Sequence, residues 1–315
     1  MSREKTGFVL IEKNPKNLDL VSKILKTRLP KSALSYNVTK LVADGVLKEP
    51  THIVNIYAFK AELEDISKTF LCVQLNFEYP KTVLTSSPED PTDEMVEAFS
   101  DVINVWTEMV WYVMEKTLWP KVECRLGPRK PCLIDETTFV AFSPNDERED
   151  AISLKESPIN TEFKVKPLSL KDAGIVDQNW FPDGPSEKII FIEDAINYFT
   201  TAGIYVKGEE SPAAFGIASL IGSINCVHTM DDHRRKGFAV AVVQDLVKRC
   251  KELGMVPCAH IVKGNSQSQG LFNKSGFSCA SENIIICFDD RIVRPSTANS
   301  EAAENTIESI ELNVM

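Results

Sequence analysis

The 315-residue chain has no Cys-x-x-Cys pair among its eight cysteines, no apolar run long enough to span a bilayer, and no surplus of positive charge. Each absence excludes something. Cys226, Cys250, Cys258, Cys279 and Cys287 lie in apolar or amphipathic stretches, so they are expected to be reduced core thiols; a disulfide framework belongs to small secreted chains. A reducing compartment, the cytoplasm, follows. Residues 13–31 are lysine-rich and amphipathic, which leaves a mitochondrial address as the alternative, but Glu4, Glu12 and Asp19 oppose it. Without a long apolar run, no membrane association is expected. Asp and Glu number 45 against 35 Lys and Arg, a net charge of −10, so the overall field repels a phosphate backbone and nucleic acid is not an expected partner. An anionic ligand must therefore be held by a local cluster of amides and cations.

What is present suits a globular enzyme: 43% hydrophobic and 25% charged residues, in a length that favours two domains. Gly7–Ile11 reads as a strand. Leu18, Val21, Ile24, Leu25 and Leu29 recur at helical spacing until Pro30. The β-branched and aromatic runs 33–42, 52–59 and 70–77 predict three strands. Asp90-Pro91-Thr92-Asp93-Glu94 has the form of a helix start with a capping aspartate, which predicts a long helix to about Leu118, ended by Pro120. Its aromatics Trp106, Trp111 and Tyr112 are expected to be buried core. Residues 143–158 are polar and charged, so the domains are placed at 1–145 and 159–293 with a linker at 146–158. The segment 294–315, poor in large apolar groups, is expected to be a mobile tail.

The second half alternates elements closely. A strand is predicted at 163–168, helices near 169–180 and 187–199, and strands at 203–207, 213–221 and 224–229. The helix Gly237–Leu253 buries Phe238, Ala241, Val242, Leu246, Val247 and Cys250, with Gly254 as its cap. A strand 257–262, a short helix 266–275 closed by Gly276 and a strand 284–288 complete a mixed α/β pattern.

Between the strand ending at Thr229 and the helix after Gly237 lies Arg234-Arg235-Lys236-Gly237-Phe238-Ala239. A strand, a charged glycine-containing turn and a helix present unpaired amides and the positive end of a helix dipole to an anion. Gly237 permits close backbone approach, Ala239 is small where the helix begins, and the three cations add charge. Taken alone, so short a run is more often a solvated basic turn; Asn265, Ser266 and Ser268 opening the next helix and Leu271 to Phe277 closing it add matches in fixed order that reverse the balance.

These residues resemble the GNAT acyltransferases, whose pyrophosphate signature is Gln or Arg, two residues, Gly, one residue, then Gly or Ala; Arg234-x-x-Gly237-x-Ala239 fits it. More narrowly, Asp231-Asp232-His233-Arg234-Arg235-Lys236-Gly237 is similar to the Pro-Glu-His/Tyr-Arg-x-x-Gly segment of the glycine N-acyltransferase family. Leu25 to Ser32, with the following residues to Val42, resembles that family's N-terminal helix and strand, so the likeness covers about residues 15–290. It implies a mixed-sheet GNAT fold in two tandem halves: a degenerate first half, and a second half that binds acyl-CoA or acetyl-CoA as cosubstrate, with no metal. Val227 to Thr229 take the place of the strand that bonds the pantetheine arm. Arg234, Arg235, Lys236, Gly237, Phe238 and Ala239 form the pyrophosphate loop, and Asn265 and Ser268 are further cofactor contacts.

The implied reaction moves an acyl group from coenzyme A to the amine of glycine or another small amino acid. It needs a base for the amine and donors for the charge developing on the carbonyl oxygen. Asp232 stands where the family has its glutamate base, one methylene shorter; a base there needs burial, and Arg234 and Arg235 oppose the shift. His228, with an imidazole suited to the task, is the alternative base. Phe272 occupies the place where many GNAT enzymes carry a tyrosine acid, so the thiolate is expected to leave unaided. Two other readings stay open: acetylation of a polyamine or protein amine, which the acidic surface would suit, and non-catalytic acyl-CoA binding. The sequence does not set the oligomeric state.

Overall fold

The computed structural model describes residues 7–65, 68–76, 81–105, 110–127, 130–142, 163–180, 188–219 and 221–288. The expected linker at 146–158, the tail at 294–315 and Trp106 lie outside them. In chain order the elements are β1 (Phe8–Leu10), α1 (Pro15–Thr27), α2 (Ala33–Ala43), β2 (Val54–Phe59), β3 (Leu71–Leu75), β4 (Lys81–Ser86), α3 (Asp93–Val105), β5 (Val110–Glu115), α4 (Trp119–Glu123) and β6 (Leu133–Phe142). They continue with β7 (Phe163–Lys166), α5 (Ala173–Trp180), α6 (Lys188–Tyr198), β8 (Thr200–Val206), β9 (Ala214–Ala218), β10 (Ile224–Thr229), α7 (Phe238–Glu252), β11 (Cys258–Val262), α8 (Ser266–Lys274) and β12 (Phe277–Phe288). The described residues form two compact units, 7–139 with 280–288, and 140–279. No described helix is long and apolar enough to cross a membrane.

In the first unit the strand order runs β1-β2-β3-β4-β5-β12. All these neighbours pair antiparallel except β4 with β5, which are parallel. Aromatic side chains fill its core: Phe8 meets Phe70 edge-on at 5.3 Å, and Tyr112 meets Phe288 edge-on at 5.8 Å. Each such pair adds roughly 0.5–1.5 kcal/mol beyond its area burial.

Two expectations fail in this unit. Residues 33–42 form helix α2 instead of a strand: Leu34, Val38 and Leu41 repeat at i, i+4, i+7 and are buried. The β-branched residues that suggested a strand are accommodated, since the Thr39 hydroxyl donates to the Ser35 carbonyl one turn back, at 2.9 Å. The long helix to Leu118 also fails. α3 ends at Val105, and Val110-Trp111-Tyr112-Val113 is strand β5, as its β-branched and aromatic residues favour once both faces are covered. The cap of α3 is Thr92, whose Oγ1 accepts from the Met95 N–H at 3.3 Å, and not Asp90. Trp111 and Tyr112 are buried, on a strand.

The second unit carries the four-stranded antiparallel sheet β10-β9-β8-β7. One side of the sheet packs on α7, whose Phe238, Val242, Val243, Leu246 and Cys250 are buried along one stripe. Gly216 of β9 makes this approach possible, because a Cβ there would lie 2.8 Å from Val242 Cγ1 and 3.1 Å from Leu246 Cδ1. A second cluster joins Leu168, Ala173, Val176, Ile192 and Ala195 to Phe215, Ile217 and Cys226 of the sheet. Ahead of α5, Ser169 and Asp172 form a capping box, and the Tyr205 hydroxyl donates to Asp172 at 2.7 Å.

Candidate active site

The site grows from a mismatch between β9 and β10. Asn225 pairs with Ile217, and His228 pairs with Phe215. Two residues of β10, Cys226 and Val227, therefore stand against Gly216 alone, which is a β-bulge; Cys226 takes the left-handed conformation, φ 53°. On its other edge β10 meets β11 through one parallel bridge, Ser223 with Cys258, where the Cys258 N–H donates to the Gly222 carbonyl at 3.1 Å. Beyond that bridge no further pairing joins the two strands among the described residues, and β10 belongs to a different ladder from β11. A strand edge left unpaired in this way can bond an extended chain such as an amide-containing arm.

β10 runs directly into the charged loop. The Met230 N–H donates to the Ala213 carbonyl at 2.9 Å, and a 3-10 turn spans Asp231–His233. Arg234 is extended, and Arg235 and Gly237 are both left-handed, at φ 64° and 80°. The first internal bond of α7 is the Ala241 N–H to the Gly237 carbonyl, at 3.1 Å. Among the described residues, nothing accepts from the N–H groups of Arg235 through Val240. Successive free amides in a turn with left-handed residues, at the positive end of a 15-residue helix, are an arrangement that suits an anion. Gly237 serves it in two ways: no atom lies within 4 Å of where a Cβ would be, and its φ is one that other residues rarely adopt.

The cations differ in their engagement. Arg234 is ion-paired to Asp231 at 2.8 Å, and its Nε reaches the Thr229 carbonyl at 3.4 Å. Arg235 is exposed and makes no ion pair among the described residues. Lys236 Nζ lies 3.4 Å from His233 Nδ1, while His233 Nε2 lies 3.1 Å from Glu209 and the His233 ring stacks on Phe238. Sequence reasoning places Glu209 in the hairpin turn 208–212 and gives it no part in the site; only the hairpin geometry brings it to the loop.

The two candidate bases have different surroundings. Asp232 is exposed on the 3-10 turn, so the burial that a base there was expected to need is not provided. His228 is half-buried and stacks on Phe215, with ring centroids 5.6 Å apart. Burial, reinforced by the nearby Arg234 guanidinium and opposed by Asp231, pushes its pKa below the usual 6.5, which keeps the imidazole neutral near pH 7. Val227 is half-buried and turns toward Gly216 and α7. Thr229 Oγ1 is buried without a partner among the described residues. Asn265 caps α8, its Oδ1 accepting from the Ser268 N–H at 3.0 Å, so these two polar groups are already engaged with each other. Phe272 is buried edge-on against Phe277 at 5.0 Å. No group of three or more His, Cys, Asp or Glu among the described residues could hold a metal.

Comparison with known proteins bears on the fold. Residues 201–286, from β8 to near the end of β12, match the family model described as FR47-like protein. The chain is similar to a Drosophila melanogaster protein of known structure, at 16% identity and a TM-score of 0.70, over 90% of this chain and 98% of that one. It is also similar to a tandem GNAT protein from the clavulanic acid biosynthesis pathway, at 9% identity and a TM-score of 0.51, over 92% of this chain and 99% of that one. The chain has the GNAT fold. Within the GNAT fold, the bulged strand, the splayed edge and the amide-lined loop all fall inside the FR47-like segment.

Proposed function

We propose that the protein is an acyl-CoA-dependent N-acyltransferase that moves the acyl group to the amine of glycine or another small amino acid. The observation that carries this reading is the run of unbonded amides from Arg235 to Val240, set beside a β10 edge that β11 leaves unpaired. The amides and the Arg235 and Lys236 cations suit the diphosphate, and the open edge suits the pantetheine arm. Both lie in the second unit, which is where this reading puts the site. Neutral His228 on the bulged strand takes the proton of the attacking amine. It replaces Asp232 as the preferred base, since it is the half-buried member of the pair. Phe272 offers no hydroxyl, so the thiolate, with a pKa of about 8.5, departs without a side-chain acid.

The glycine acceptor rests on the likeness of Asp231–Gly237 to the glycine N-acyltransferase segment. A second reading, acyl-CoA binding without turnover, is favoured by the exposure of Asp232 and the burial of Phe272. Calorimetry with acetyl-CoA and benzoyl-CoA, followed by thiol release with glycine, other amino acids and polyamines, separates the two. Tight binding and release with a small amino acid support the proposal; tight binding without release across the panel supports the second reading, and no binding of either thioester overturns both.

A further inference from the structure

The side-chain carbonyl of Asn225 is a buried acceptor without a hydrogen-bond partner among the described residues. The residue as a whole is 8% exposed. A buried carbonyl oxygen left unpaired costs free energy unless a ligand or water supplies the donor. A Leu, which has the same branched heavy-atom skeleton without the polar atoms, would suit the neighbouring apolar cluster of Phe215, Ile217 and Cys226.

Register places this amide beside the candidate base. Residues paired across an antiparallel ladder share a face, and Ile217 and Phe215, two apart on β9, lie on one face. Their partners Asn225 and His228 therefore project from that same face, even though they are three apart in sequence; without the bulge they would point to opposite sides. Their separation along the strand is that of two residues, roughly 7 Å. A single nitrogen between them can bond to both, since each hydrogen bond spans about 3 Å.

We infer that Asn225 binds the acceptor amine, its Oδ1 accepting one amine N–H while His228 faces the other. This rests on the acyltransferase reading and adds the group that selects and aims the amine. The nitrogen bonds to the thioester carbonyl carbon as the carbon–sulfur bond breaks; the amine proton passes to neutral His228, and the electron pair leaves on sulfur as thiolate. The class of ligand is a primary amine small enough to reach a buried amide.

The test uses the whole chain saturated with CoA, with glycine and ethylamine as probes. In 15N-labelled protein the Asn225 side-chain amide signal, identified by its loss in Asn225→Leu, is expected to shift on titration with either amine. With acetyl-CoA, Asn225→Leu is expected to raise the KM for glycine about tenfold or more, to leave the Kd for CoA within twofold, and to keep or raise Tm. Asn225→Asp, which retains an accepting oxygen, is expected to stay within about threefold of the parent KM. A purely structural Asn225 gives the reverse: a lower Tm, an unmoved KM and a signal insensitive to amines, and that result overturns the inference while CoA binding leaves the acyltransferase reading intact. A parent protein that shows no heat of CoA binding overturns that reading, and this inference with it.

Discussion

His233 ties the amide-lined loop to the β8–β9 hairpin: its Nε2 lies 3.1 Å from Glu209, and its ring stacks on Phe238, the first residue of α7, at 6.0 Å. The contact holds the turn that precedes the free amides. His233→Ala is expected to weaken CoA binding about tenfold, or about 1.4 kcal/mol, with a change in Tm of only a few degrees. Calorimetry and thermal melts of the same preparations check this; unaltered affinity would show that the loop holds its shape without the contact.

Gly237→Glu should reduce CoA affinity at least a hundredfold. The substitution forces a side chain into a left-handed position, at a cost of about 1–2 kcal/mol, and sets a carboxylate at the positive end of α7 where the diphosphate is expected. The fold should survive, since the space around that Cβ is open. Circular dichroism and calorimetry separate the two effects.

With His228 as the proposed base, the pH dependence of kcat follows from its imidazole. Its pKa lies below 6.5, and only the neutral form accepts a proton, so kcat should be flat above about pH 7 and fall as pH drops through the shifted value. Arg234→Gln removes a cation that lowers that pKa, so the acid limb should move to higher pH at saturating acyl-CoA. His228→Gln should lose the limb along with most of kcat. Asp232→Asn is expected to leave the profile in place; a profile that instead flattens in Asp232→Asn returns the base assignment to the aspartate.

Stability should fall in acid through His260. This residue is buried in β11, and burial lowers its pKa from 6.5 to about 4. Between these values the unfolded chain binds the proton and the folded chain does not, so stability is fully present above about pH 6.5 and declines as pH falls toward 4. The loss approaches about 3 kcal/mol at 1.36 kcal/mol per unit. Denaturant titrations at pH 7 and pH 4.5 on the parent and on His260→Leu measure it: the variant should show the smaller difference.

Gly216→Val tests the packing that supports the site. The added atoms meet Val242 and Leu246 at under van der Waals distance, and overpacking of this kind costs about 1–3 kcal/mol. A Tm lowered by a few degrees, together with weaker CoA binding, would show that α7 sits on β9 at the spacing the loop requires.

The loop itself was legible because its parts are contiguous. Gly237 and the three cations before it mark a strand-to-helix turn, and the periodic burial of Phe238, Val242, Leu246 and Cys250 marks the helix behind it. Misreadings came where composition and period disagreed. Tyr36, Val38, Thr39 and Val42 suggested a strand, although Leu34, Val38 and Leu41 kept the helical period that α1 packing favours. The run from Asp93 to Leu118 looked like one helix, since nothing local announces that both edges of Val110–Glu115 will be paired with neighbouring strands.

Sequence by itself therefore determined the helices and most of the strands of the second unit, the turn that exposes the amides of α7, and the absence of any surface-wide attraction for anions. Local chemistry suffices for these, because caps, turns and helical periods depend on residues a few positions apart. Tertiary structure decided which of Asp232 and His228 is sheltered, why Glu209 meets the loop, and that Asn225 shares a face with His228. The shared face depends on one extra residue in β10 opposite Gly216, and a bulge is a property of two paired strands that neither strand's sequence shows alone.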